Sequence, residues 1–233
     1  MKAAILLLVV SLLAPAAAGA RAQGDGQATI DPARFSAQID NVWFPLRPGT
    51  VAVYSGAKDG KKAKDVVTVT GQTKTIAGAR CRAVRDRLYL DGRLGERTTD
   101  WYTQDDRGNV WYFGEQTAEL DSHGRVTSTE GTWQAGVDGG QPGIFMPARP
   151  RVGIAYRQEY YRGHAEDHFR VMSLFRTVTS PSTPNALLTQ EWTPLEPGVI
   201  DHKLYVRGIG DVVEHTVKGG SEHLELLSLR SRP

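Results

Sequence analysis

The sequence predicts an all-β protein: a single curved antiparallel sheet, bent into a half-barrel or open barrel. Three observations carry this reading. Short segments rich in β-branched and aromatic residues follow one another from Val51 to Leu229, at the ~8–12 residue spacing usual for sandwiches and barrels. Turn signals such as Asp59-Gly60, Asp91-Gly92, Arg107-Gly108-Asn109 and Gly219-Gly220 separate them. No convincing amphipathic stretch of helix length interrupts the series.

Val51–Tyr54 opens the series. Val66-Val67-Thr68-Val69-Thr70 follows, β-branched throughout and suited to a pleated surface. Cys81–Leu90 is the next strand. Asp100–Gln104 and Val110–Phe113 form the clearest hairpin, two aromatic strands around a turn of Asp, Gly and Asn. Alternation puts Trp101 and Thr103 on one face and Tyr102 and Gln104 on the other, with Trp111 and Phe113 opposite in sense to Tyr112. Further strands are expected at Val126–Trp133, Tyr156–Tyr161, His168–Thr179, Leu187–Trp192, Lys203–Arg207, Val212–Val217 and His223–Leu229. Gln134–Gly153, with five glycines and three prolines, reads as a long connection held down by Ile144-Phe145-Met146.

The first 22 residues read differently. Lys2, the apolar run Ala3–Leu13, Pro15 and the closing Ala20-Arg21-Ala22 have the layout of a secretory signal peptide, with cleavage expected after Ala22. The run is too short to span a bilayer, which takes ~20 apolar residues. Residues 23–38 read as a flexible leader with a short helical turn near Asp31–Gln38, and 39–233 as one β domain. Destination is then the periplasm, the cell envelope or the medium. The chain holds 28 basic and 26 acidic residues, but Lys2 and Arg21 fall in the signal. The remainder is balanced and has no field to gather nucleic acid or an anionic membrane. Cys81 is the single cysteine, so no intramolecular disulfide forms, and its strand context marks a buried thiol.

Trp43-Phe44-Pro45-Leu46-Arg47-Pro48-Gly49-Thr50, followed by Val53-Tyr54, resembles the opening of a group of uncharacterised secreted bacterial proteins, actinobacterial in type, with an aromatic-Phe-Pro-Leu-x-x-Gly pattern. Ala52 or Val53 stands where those proteins usually carry Trp. Tyr205-Val206-Arg207-Gly208-Ile209-Gly210 is similar to their return into a late strand. More distantly, the pattern is similar to LolA-like and VioE-like half-barrels. That resemblance implies a concave sheet face holding an apolar or aromatic small molecule, or a partner peptide. It implies no catalytic residue.

The candidate site residues fall into three sets. His164, Glu166 and His168 share one face if read as a strand. The two histidines are then ~13 Å apart at ~3.3 Å per residue, so one zinc ion could take Glu166 and one histidine but not easily both; read as a helix, which Gly163 and the flanking strands disfavour, His164 and His168 at i and i+4 could share a metal. A further ligand would come from His202, His215 or His223, and a solvated turn is the expectation, with no bound metal. Glu159, Glu191, His202 and Glu214 lie in or beside strands, and Glu191 with His202 would make a carboxylate–imidazole pair for acid–base work. Glu166 and His168 complete the acid–base candidates. Trp101, Trp111, Tyr160 and Trp192 are the candidate ligand-lining aromatics. Asp105, Asp106 and Asn109 read as hairpin-turn residues rather than a calcium loop. Gly208-Ile209-Gly210 lacks the third glycine and helix of a dinucleotide loop. No cofactor is called for. The readings are a monomeric carrier-type binding protein, a secreted hydrolase or lyase, and a structural envelope protein.

Overall fold

The computed structural model describes residues 30–179 and 182–231, without the side chains of 177–184. The expected signal peptide and the first part of the leader lie outside the described residues. Among the described residues, sixteen strands form a continuous antiparallel sheet. In chain order they are β1 Phe35–Ser36, β2 Thr50–Lys58, β3 Lys61–Ile76, β4 Ala79–Leu90, β5 Arg93–Asp105, β6 Val110–Leu120, β7 Val126–Ser128, β8 Trp133–Gln134, β9 Gln141–Met146, β10 Ala155–Arg157, β11 Glu159–Tyr160, β12 His168–Thr179, β13 Ser182–Trp192, β14 Ile200–Val206, β15 Gly210–Lys218 and β16 His223–Ser231. The only helical element among the described residues is a 3-10 turn at Pro32–Arg34, with the Asp31 carboxylate capping the Ala33 N–H at 3.1 Å.

The sheet runs β10-β12-β13-β14-β15-β16-β2-β3-β4-β5-β6-β9-β11. Its two ends, β10 and β11, are separated along the chain by Gln158 alone, so the expected curvature goes almost to closure and the fold is a nearly closed barrel. β10 pairs with β12 on one side of the seam and β11 with β9 on the other. The backbones come so close there that a Cβ on Gly143 of β9 would lie 2.2 Å from the Arg157 carbonyl oxygen. Glycine inside a strand commonly marks such an approach.

Two sequence expectations change here. The stretch Gln134–Gly153 contains the strand β9, masked in the sequence by Pro142 and Gly143, and the span Val126–Trp133 is two short strands, β7 and β8, rather than one. The leader is held from Ile30 onward: β1 pairs with β5, and Phe35 sets its ring edge-on to Trp111 and Phe113 at 5.8 and 5.4 Å.

Turn chemistry does what the sequence implies. Asp59-Gly60 and Asp91-Gly92 all take positive φ, the geometry whose twist matches a two-residue hairpin. Asp105 accepts the N–H groups of Arg107 and Asn109 and the Trp111 indole N–H, while Asp106 pairs with Arg34 at 2.8 Å. Those carboxylates are engaged in holding the hairpin.

The Ile39–Leu46 segment closes one end of the barrel. Asn41 organises it: its side-chain oxygen accepts from the Trp43 and Phe44 N–H groups, and its amide donates to the Gly108 carbonyl at 2.9 Å. Gly208 N–H donates to the Val42 carbonyl at 2.7 Å, tying the plug to the β14–β15 turn. Phe44 enters the lumen and meets Tyr102, Phe145 and Tyr205 at ring distances of 5.4, 4.6 and 6.4 Å. Tyr102 stacks on the directly opposite Tyr112 at 4.8 Å. The concave face that the resemblance assigned to an apolar ligand is filled at this end by the protein's own aromatic rings.

A carboxyl-lined mouth as the candidate functional site

Beyond the aromatic layer the lumen becomes acidic. Directly opposite residues share a face, so the pairs Asp86–Thr98, Val84–Asp100 and Asp100–Glu115 put Asp86, Asp100 and Glu115 inside with Tyr102. Asp100 is buried and accepts the Tyr112 hydroxyl at 2.6 Å. Burial is the main cause that pushes its carboxyl up to about 7, helped by Glu96 and Asp65 and opposed by the tyrosine. Burial also raises Asp86, Glu115 and Glu159 well above the usual carboxylate range, and neighbouring carboxyls add to it in each case. Glu159 accepts the indole N–H of Trp133. The Oδ1 atom of Asp65 is buried without a hydrogen-bond partner among the described residues, and Asp65 is one of the neighbours that raise Asp86.

At the end opposite the plug this interior opens into a cavity of about 150 Å³ lined by Gln158, Asp167, His168, Glu191, Trp192, Thr193, Glu196, Val199, Asp201, Lys203 and Glu214. A shallower groove of about 640 Å³ continues from it past Glu196, Val199 and Asp201 to Lys58 and Glu222, which pair at 2.8 Å.

Strand register sets the lining. Thr189 faces Lys203 and Glu191 faces Asp201 across β13 and β14, and Lys203 faces Glu214 across β14 and β15. All five therefore point inward. Lys203 Nζ lies 3.4 Å from Glu191 and 3.2 Å from Glu214. Burial alone would lower this ammonium, but the two carboxylates outweigh it and hold it well above the usual lysine range. Glu191 also accepts the hydroxyls of Thr189 and Tyr205, at 3.0 and 3.3 Å, and burial raises it despite Lys203. Asp201 accepts the Thr216 hydroxyl at 2.5 Å. Five carboxyls and one ammonium thus line the cavity, while Trp192, one residue out of phase with Glu191, stacks on His168 at 5.6 Å with the Arg170 guanidinium over its ring at 5.7 Å.

The sequence candidates separate. His168, Glu191 and Trp192 meet in this cavity. Glu191 and His202 do not pair: His202 is opposite His215, on the outer face, because it is one residue out of phase with Lys203. Glu166 turns back on its own loop and accepts the Gly163 N–H at 2.7 Å, while His164 meets Glu130 at 2.7 Å and His168 Nδ1 meets the Glu166 carbonyl at 2.8 Å. The 164–168 cluster is a turn whose side chains have separate partners. No three His, Cys, Asp or Glu side chains among the described residues are grouped as metal ligands.

The aromatics are dispersed. Trp101 lies under the Lys74 ammonium at 3.9 Å and lines an outer cleft of about 360 Å³ with Trp133 and Tyr161. Trp111 is held by Asp105 and Phe35, and Tyr160 packs under Arg157. Sequence reasoning named Glu191 and Glu214 but missed Lys203, Asp167, Asp201 and the buried Asp65, Asp86 and Asp100. The signal for Asp100 was present: it shares the face of Tyr102 in a strand with polar residues on both sides.

No protein-family model matches the chain, and no curated protein matches it. Among solved structures the chain is similar to a protein of Bacteroides fragilis NCTC 9343, assigned to the exported proteins and to a YmcC-like fold: 15% identity, 81% of this chain and 99% of that one covered, TM-score 0.46. It is also similar to a protein of Parabacteroides distasonis ATCC 8503 assigned as a lipoprotein: 10% identity, 82% and 99% covered, TM-score 0.43. No helix among the described residues is long and apolar enough to cross a membrane.

Proposed function

We propose that the protein works outside the cytoplasm as a carrier-type binding barrel. Its ligand is a small molecule or peptide segment that presents a positive charge beside an aromatic or apolar surface. The signal-like segment Lys2–Ala22 supports the location. The single observation that carries the ligand reading is the lining of the 150 Å³ cavity. Lys203 already sits between Glu191 and Glu214, which leaves Asp167, Glu196 and Asp201 to meet a cation. Val199 gives the lining an apolar side chain.

The test is native mass spectrometry of the protein purified from its own host. A co-purifying amine or basic peptide, lost in an Asp201→Asn/Glu196→Gln variant, supports the reading. A neutral lipid retained equally by the variant contradicts it. A second reading, a secreted hydrolase or lyase, is favoured by His168 and Glu191 lining one cavity. It predicts chemical turnover of the bound molecule, abolished in Glu191→Gln.

A further inference from the structure

Three histidines stand in a row on the outside of the barrel. His202 of β14 is directly opposite His215 of β15, and His215 is directly opposite His223 of β16. Their sequence neighbours Lys203 and Glu214 face the lumen, so the imidazoles face out. Opposed residues in antiparallel strands have Cα atoms ~4.5–5.5 Å apart, within the reach of imidazoles that bind one ion at ~2.0–2.1 Å. The rings of His215 and His223 are already 5.0 Å apart, at 83° to one another. His223 Nε2 meets Glu225 Oε1 at 2.9 Å, which leaves Nδ1 as its open ligating atom. A carboxylate on the second ring nitrogen is the usual support of a metal-bound histidine, because it fixes the ring and raises its basicity.

The groups facing this row are known. Burial, then Arg176, then His215 lower His202. Arg176, Leu188, Leu204, Val213 and Phe175 form a groove of about 430 Å³ beside His202 and His215, giving the row a partly apolar flank.

We propose that this row binds a divalent transition-metal ion of the zinc or copper class, the ions that imidazole favours. His215 is the central ligand and His223 the second. His202 is the third, brought in by rotation about its side-chain bonds, since the three rings do not converge as they stand. The site lies on the opposite side of the barrel wall from the carboxyl-lined cavity and does not depend on that cavity's role.

The experiment is titration of the purified full chain with zinc chloride alone, followed by calorimetry, and with copper(II), followed by electron paramagnetic resonance for coordinated nitrogen. One ion per chain is expected. His215→Ala should weaken binding at least ~10-fold, a loss of about 1.4 kcal/mol. His164→Ala, which removes an exposed histidine elsewhere, should leave it unchanged. Absence of saturable binding of either ion up to ~1 mM (an affinity below ~4 kcal/mol), or equal binding in His215→Ala, overturns the site. Loss in His215→Ala with none in His202→Ala overturns the three-histidine assignment.

Discussion

Replacing Asp100 by Asn should make the barrel more stable at neutral pH and no more stable in acid. The buried Asp100 carboxyl has a folded pKa of about 7 against 3.8 for its ordinary value. A carboxyl raised in this way holds its proton more tightly in the fold than in the unfolded chain. Its stabilising contribution is therefore full below pH 3.8 and lost as the pH rises to about 7. The gap is about 3 pH units at 1.36 kcal/mol each, of order 4 kcal/mol. Asn keeps an oxygen to accept the Tyr112 hydroxyl but has no charge to lose, and its amide N–H groups face the carboxyls around it. The wild type and Asp100→Asn should unfold alike at pH 4. By pH 7.5 the variant should lead by of order 4 kcal/mol, roughly 8–16 °C in Tm for a domain of this size. Urea unfolding followed by tryptophan fluorescence from pH 4 to 8.5 measures this difference. A difference that stays constant with pH would show that Asp100 is ionised throughout, and the acidic-lumen argument would fail.

Three other outcomes are expected. Gly143→Ala places a methyl group 2.2 Å from the Arg157 carbonyl oxygen; the seam must shift, costing about 3 kcal/mol, read as a drop in Tm. Ala77 sits at φ 46 in the β3–β4 turn; Ala77→Asn, a residue that tolerates this region, should stabilise by ~1 kcal/mol, and a lower Tm would contradict the strain. Cys81 is fully buried and its thiol is pushed up to about 12, chiefly by burial; an aromatic disulfide reagent at pH 8 should react only after denaturant is added, and prompt labelling of the folded chain would refute the placement.

The fold was legible because period-two alternation and turn residues are local signals. His168–Thr179 is a strand at the residues expected, and Tyr102 lies opposite Tyr112 as hairpin alternation requires. Closure was not legible, since it depends on β10 and β11 reaching opposite ends of one sheet through Gln158, a contact between residues far apart in the chain. The strand β9 was hidden because Pro142 and Gly143 read as loop, whereas Gly143 is there to let two backbones meet. The site was half legible. Glu191 stood out as a strand carboxylate, but its partner depended on a register phase of one residue, and that phase gave it Lys203 within the lumen and turned His202 outward. A pair proposed across two strands without their register has even odds of being split between faces.

The most direct test of the acid-lined mouth as a cation site uses the chain's five tryptophans, whose indole N–H resonances report by nuclear magnetic resonance. Trp192 lines the cavity while Trp101 and Trp111 lie elsewhere. Titration with tryptamine should move the Trp192 signal and leave those of Trp101 and Trp111 in place, and 3-methylindole, which lacks the ammonium, should move none. Equal shifts with 3-methylindole, or a response at Trp101 in place of Trp192, would contradict the account.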